Sequence, residues 1–196
     1  MRERQFKTPG YWSALSFDED DISDKPTLKM VTVKPENLTR ESPRHSLWRK
    51  LRRRRLPQLS QMNMVECGAA CLAMILSYYG RKTSVSEVST RCDIGRDGLS
   101  ALSIVKAARS YGMRVRAISL PHNDFRFVRL PAIIHWEFNH FVIVERWSPK
   151  RVDIVDPAAG RRHLSAEEFD AGFTGIAIML EPGTQFNRKT GPRKVT

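Results

Sequence analysis

The chain has 196 residues with 41% hydrophobic content, room for one cored domain plus tails but not two full domains. No apolar run nears the roughly 18 residues of a membrane span, and nothing after Met1 resembles a secretory signal, so a cytoplasmic location is expected. The net charge of +12 suggests nucleic acid until it is sorted: residues 1–48 balance, 49–55 carry six bases, 56–184 hold fifteen bases against thirteen acids, and Arg188, Lys189, Arg193 and Lys194 close the chain. Basicity at the flanks, not on a folded surface, argues against specific nucleic-acid binding and suits a domain beside an anionic membrane face.

Residues 1–48, with the acidic cluster Asp18-Glu19-Asp20-Asp21 and scattered prolines, have no sustained apolar period and read as a disordered or loosely structured extension. The run 49–55 reads as a basic linker, and 185–196 as a basic tail. The predicted domain is 56–184.

Cys67 to Tyr79 is rich in helix formers and stops at Gly80. Ser84 followed by Glu87 predicts a capping box for a short helix near 85–92. A third helix is expected over 100–111, with Leu102, Ile104, Val105 and Ala108 as its buried stripe and Gly112 as its stop.

Beyond Gly112 the period changes to two. Met113, Val115 and Ala117 alternate with Arg114, Arg116 and Ile118; a loop is expected around Pro121 and Asn123. Further strands are predicted at 131–136, 140–146, 151–155 and 175–180, with a short helix near 165–172. Helices followed by strands indicate the α+β class, a helical N-terminal half packed on a C-terminal antiparallel sheet.

Three cysteines without regular disulfide spacing fit a reducing compartment. Cys67 opens the first helix, where unsatisfied N–H groups and the helix dipole favour an anion, the setting of a nucleophile. Cys71 and Cys92 read as small buried hydrophobes.

A nucleophilic thiol needs a base and a group to orient that base. If strands 140–146 and 151–155 form a hairpin turning near 148–149, His140 falls opposite residue 156 or 157, which brings Asp156 to the same sheet end. Asp153, between Val152 and Ile154, turns toward solvent by alternation. His135 is the rival base, but nothing places a carboxylate across from it; His45, His122 and His163 fall in predicted tails or loops. The Cys67 amide can donate to an oxyanion, and Gln61, six residues earlier, is a candidate second donor, though a Gln in a loop is more often a surface residue. No cofactor or metal enters this chemistry.

The stretch 61–76 (QMNMVECGAACLAMIL), closing on Tyr78-Tyr79-Gly80, resembles the peptidase domain of bacteriocin-processing ABC transporters. Leu130-Pro131-Ala132-Ile133-Ile134-His135-Trp136, Asn139-His140-Phe141-Val142, Val155-Asp156-Pro157 and Phe173-Thr174-Gly175 match in the same order. Glu66 stands where that family more often has Asp.

The resemblance implies a papain-like cysteine peptidase fold in which Cys67 attacks, His140 shuttles the proton, Asp156 orients His140 and Gln61 helps hold the oxyanion. It implies a precursor peptide with a double-glycine leader as substrate, and the transmembrane and ATPase domains of an ABC transporter as partners. No GxxxxGK[ST] loop occurs here, so the chain is expected to be a detached piece or a stand-alone peptidase; its basic tail favours the former. The competing readings are a noncatalytic leader- or cargo-binding module, a nucleic-acid-binding protein carried by the arginine run, and a papain-like acyl transferase.

Overall fold

The most apolar stretch of the chain becomes a helix enclosed on all sides. In α1 (Cys67–Tyr78) only Ser77 escapes burial, because a helix apolar all round has no face to offer water. The computed structural model describes residues 13–15, 31–32, 55–61, 63–92 and 99–188. Most of the expected extension over 1–48, all of the basic linker except Arg55, and the tail beyond 188 lie outside them.

A short 3₁₀ turn, Met64–Glu66, leads into α1, and Gly80, at φ 99°, ends it. In α2 (Val85–Arg91) the Ser84 hydroxyl caps the Glu87 amide at 3.1 Å as expected. The Glu87 carboxylate lies 3.6 Å from the Arg81 guanidinium. Complete capping boxes form at Ser165 and Glu168, ahead of α4 (Ala166–Gly172), and at Asn63 and Glu66, ahead of α1. In α3 (Ala101–Ser110) the buried residues are Ile104, Val105, Ala107 and Ala108; Leu102 is only half-buried, so the stripe is rotated from the expected one.

The strands are β1 (Ser13–Leu15), β2 (Val31–Thr32), β3 (Met113–Ser119), β4 (Ala132–Trp136), β5 (His140–Ser148), β6 (Arg151–Asp156), β7 (Gly160–Ser165) and β8 (Phe173–Pro182). They form one sheet in the order β2-β1-β3-β8-β4-β5-β6-β7, antiparallel at every pair. Two of the strands, β1 and β2, come from the N-terminal segment and extend the sheet beyond β3. The expected loop after β3 contains a 3₁₀ segment, His122–Phe127.

β7 was not expected. Arg161, Arg162 and His163 carry no apolar alternation, and only Gly160 and Leu164 are buried. As the last strand in the sheet it is recruited by pairing along the whole of β6 rather than by a hydrophobic face.

Alternation along the central strands divides the interior. Ile133, Phe141, Ile143, Val155 and Ile178 pack with α1, α2 and α3. Ile134, Val142, Val144, Ile154 and Ala177 pack with Phe125, Trp136, Phe169 and Phe173 on the other face. Each fully buried side chain of this size contributes about 1.5–3 kcal/mol relative to exposure. Among the described residues no helix is long and apolar enough to cross a membrane.

Candidate active site

Cys67 occupies the first position of α1 and is 4% exposed. Its neighbour Gly68 lets that first turn press on α3: a Cβ there would lie 2.7 Å from Ile104 Cδ1.

His140 opens β5 and Asp156 closes β6. The turn between these strands holds Pro149 and Lys150, with Ser148 opposite Arg151, one position later than expected; an irregularity between Val144 and Arg146 then shifts the register so that Ile143 faces Val155. Carried one residue further, this pairing sets Asp156 across from Val142 and His140 on the diagonal, within side-chain reach. His140 Nε2 lies 2.9 Å from Asp156 Oδ1.

That carboxylate is buried, and Oδ1 also accepts the Ala158 amide at 2.8 Å. Burial alone would raise the Asp156 pKa. The hydrogen bonds from His140 and from the Ala158 and Ala159 amides outweigh it and hold the group below the usual carboxylate range. The hydrogen bond to Asp156 is the main cause lifting His140 to a pKa of about 9; a side-chain hydrogen bond with Cys67 adds to it, and burial opposes both. With Nε2 taken by Asp156, Nδ1 is the ring nitrogen left to serve Cys67.

The segment ahead of α1 is tied across the sheet. The Leu56 amide donates to Glu145 Oε1 at 2.8 Å; Arg161 donates to the Leu56 carbonyl and has its Nε 3.4 Å from Glu145 Oε2. Further along, the Gln61 amide donates to the Pro157 carbonyl at 3.2 Å, which sets Gln61 beside the residue that follows Asp156. Gln61 Oε1 is buried without a protein partner.

The remaining titratable groups separate from this constellation. His135 Nδ1 lies 2.8 Å from Thr174 Oγ1, whose hydroxyl is 3.2 Å from the His135 carbonyl. Burial and then the charge of nearby His140 lower its pKa, against a hydrogen bond to the Phe138 backbone, so it stays neutral at neutral pH. Cys71 donates its thiol to the Phe141 carbonyl at 3.3 Å, and complete burial pushes its pKa well up. Burial likewise raises Cys92 to about 11. Asp153 accepts from Arg151 at 2.9 Å and lies 2.8 Å from His163 Nδ1, so it is engaged in a charged cluster rather than turned freely to solvent. His163 sits in β7, not in a loop; His45 lies outside the described residues.

Sequence reasoning missed the Glu145–Arg161 tie and the Thr174 partner of His135. Glu145 left a trace, a single carboxylate ending the apolar run of β5. Thr174 left none beyond its place in Phe173-Thr174-Gly175.

A thiol at the mouth of a central helix, an imidazole and a buried carboxylate on an antiparallel sheet define a cysteine peptidase domain of papain-like fold. The model of the Peptidase C39 family matches residues 55–185, and the chain belongs to that family. It is 36% identical over 137 residues to a colicin V secretion/processing ATP-binding protein of Escherichia coli, covering 70% of this chain and 20% of that protein. It is 34% identical over 134 residues to a lacticin-481/lactococcin-DR transport/processing ATP-binding protein of Lactococcus lactis, covering 66% and 19%. The chain thus spans about a fifth of the length of these curated relatives.

Among solved structures, it superposes on a double glycine motif protease from an AMS/PCAT transporter in complex with the leader peptide. The TM-score is 0.63 at 40% identity, covering 65% of this chain and 92% of that one. The peptidase domain of Streptococcus ComA, a bifunctional ABC transporter involved in a quorum-sensing pathway, gives 0.59 at 28% identity, covering 63% and 96%.

Proposed function

We propose that this chain cuts precursor peptides immediately after a double-glycine type leader and acts on the cytoplasmic side of the membrane beside an ABC transporter that exports the released core. The observation that carries the reading is the Cys67–His140–Asp156 chain of contacts at the mouth of α1, in a member of a cysteine peptidase family. The solved leader-peptide complex of a 40% identical protease supports the choice of substrate.

In this mechanism His140 already holds the proton as imidazolium, and the Cys67 sulfur beside it attacks as thiolate at the carbonyl carbon of the second glycine. The C–S bond forms as the carbonyl electrons move to oxygen, where the Cys67 amide and the Gln61 side chain receive the charge. An amide places its NH₂ where its oxygen stood after half a rotation about its last bond, so the unpartnered buried end of Gln61 suits a donor to that oxyanion. His140 then gives its proton to the leaving amine as the C–N bond breaks. Water, deprotonated by His140, opens the thioester and restores the thiol. Asp156 keeps Nδ1 of His140 turned toward the sulfur throughout.

Residues 56–184 form the working domain. The basic side chains of 49–55 and of the tail 185–196 suit an anionic membrane face beside the domain, and a transmembrane part is the expected continuation of the tail. The test is to incubate the protein and Cys67→Ala with a double-glycine precursor and read product masses. A Cys67-dependent cut directly after the glycine pair is expected; an intact precursor that binds both proteins would replace the peptidase by a cargo-holding module.

A further inference from the structure

The hairpin that delivers His140 has an unusual tip. The Asn139 amide closes the β4–β5 turn on the Trp136 carbonyl at 3.3 Å, and the two central residues, Glu137 and Phe138, have φ of 46° and 64°. Turns with both central residues at positive φ favour Asn-Gly or Gly-Gly, because a Cβ is crowded in that conformation. Here they hold a glutamate and a phenylalanine. Packing does not explain the choice: Phe138 is 84% exposed, against 53% for Phe127 and 37% for Val65, the other exposed large apolar side chains among the described residues.

The chemistry gives this tip a place. On the proposed mechanism the acyl part of the substrate rests at the mouth of α1, where the oxyanion donors are, and the amine departs past the imidazole that protonates it. Residues after the cut therefore leave on the His140 side. Phe138 stands two residues before His140 on the same hairpin, with its side chain exposed, and so within reach of residues leaving on that side. Strained backbone kept for a bulky exposed side chain is a pattern of binding sites.

We infer that Phe138, with the exposed Glu137 beside it, contacts the first residues following the cleaved bond, favouring an apolar residue there and disfavouring an acidic one. This selectivity is separate from leader recognition, and it rests on the peptide-cleaving reading above.

The experiment compares kcat/KM for precursors that differ only in the two residues after the glycine pair, Leu-Leu against Asp-Asp, in wild type, Phe138→Ala and Phe138→Gly. Binding of a fluorescent leader peptide and Tm are measured alongside. Wild type is expected to prefer Leu-Leu by about tenfold, the scale of one apolar contact. Both variants are expected to lower the ratio several-fold with leader affinity unchanged, the share due to Glu137 remaining. Phe138→Gly is expected to do so at a raised Tm, since glycine accepts φ 64° without strain.

An unchanged ratio in a folded variant overturns the inference, as does an equal loss on both substrates, which would make the tip a mere support for His140. A wild-type protein that cleaves neither precursor sinks the peptidase reading, and this inference with it.

Discussion

Two histidine–aspartate pairs draw their aspartates from one strand, β6, three residues apart, and only one of them meets a thiol. His140 and Asp156 meet at 2.9 Å, His163 and Asp153 at 2.8 Å, so distance does not separate them. In both pairs burial of the carboxyl is outweighed by hydrogen bonds that hold its pKa down. The surroundings do separate them. Asp156 is buried and His140 meets Cys67, whereas the His163 side chain is 62% exposed and Asp153 is shared with Arg151. A close pair becomes useful when a nucleophile stands at its far end and water is kept from its near one.

Variants can break or sharpen that contrast. Cys67→Ala, which removes the far end, is expected to reduce cleavage by at least about 10³-fold while leaving leader binding intact, checked by product mass and by peptide titration.

Asp156→Asn comes next, with a loss of about 10²–10⁴-fold in kcat and a changed pH profile. In wild type His140 keeps its proton until pH rises through about 9, which sets the alkaline limb of kcat/KM. Without the carboxylate that limb moves toward the ordinary histidine value of about 6.5. The same shift acts on stability: the contribution of protonated His140 is complete below about 6.5 and lost as pH passes about 9. Urea titrations across that range, in wild type and variant, measure the difference.

Cys71→Ala probes the helix one turn inside. Losing the buried thiol and its bond to Phe141 is expected to cost about 1–3 kcal/mol in urea unfolding and only a few-fold in cleavage. Equal loss of cleavage in a well-folded Cys71→Ala would erase the division between the two cysteines. Asp153→Asn is the smallest: a change within about 0.5–1 kcal/mol and unaltered cleavage, because an exposed ion pair contributes little.

The helical half was legible because α1, α2 and α3 carry their signals locally, in apolar runs, serine caps and the glycine stops Gly80 and Gly112. Of the strands, β4, β5, β6 and β8 were readable from runs of Ile, Val and Ala. β7 was not, because an edge strand bearing Arg161, Arg162 and His163 is defined by its partner rather than by its own pattern. The pairing of His140 with Asp156 followed from hairpin geometry, but its register did not: the irregularity near Glu145 depends on ties to Leu56 and Arg161, 89 residues away in one direction and 16 in the other. The left-handed tip at Glu137 and Phe138 contradicts local preference and so had no sequence signal at all.

The enclosure of α1 decides which parts of the site can yield. The helix bearing Cys67 is held by core on every side, so its opening requires disrupting most of the domain; its amides should exchange with solvent last. Gln61 and the hairpin tip lie at the edge of that core, Phe138 almost wholly exposed, so they yield at lower cost. A substrate that enters therefore meets a fixed anvil under its carbonyl, and whatever fitting takes place is done by the two flanks that close around it.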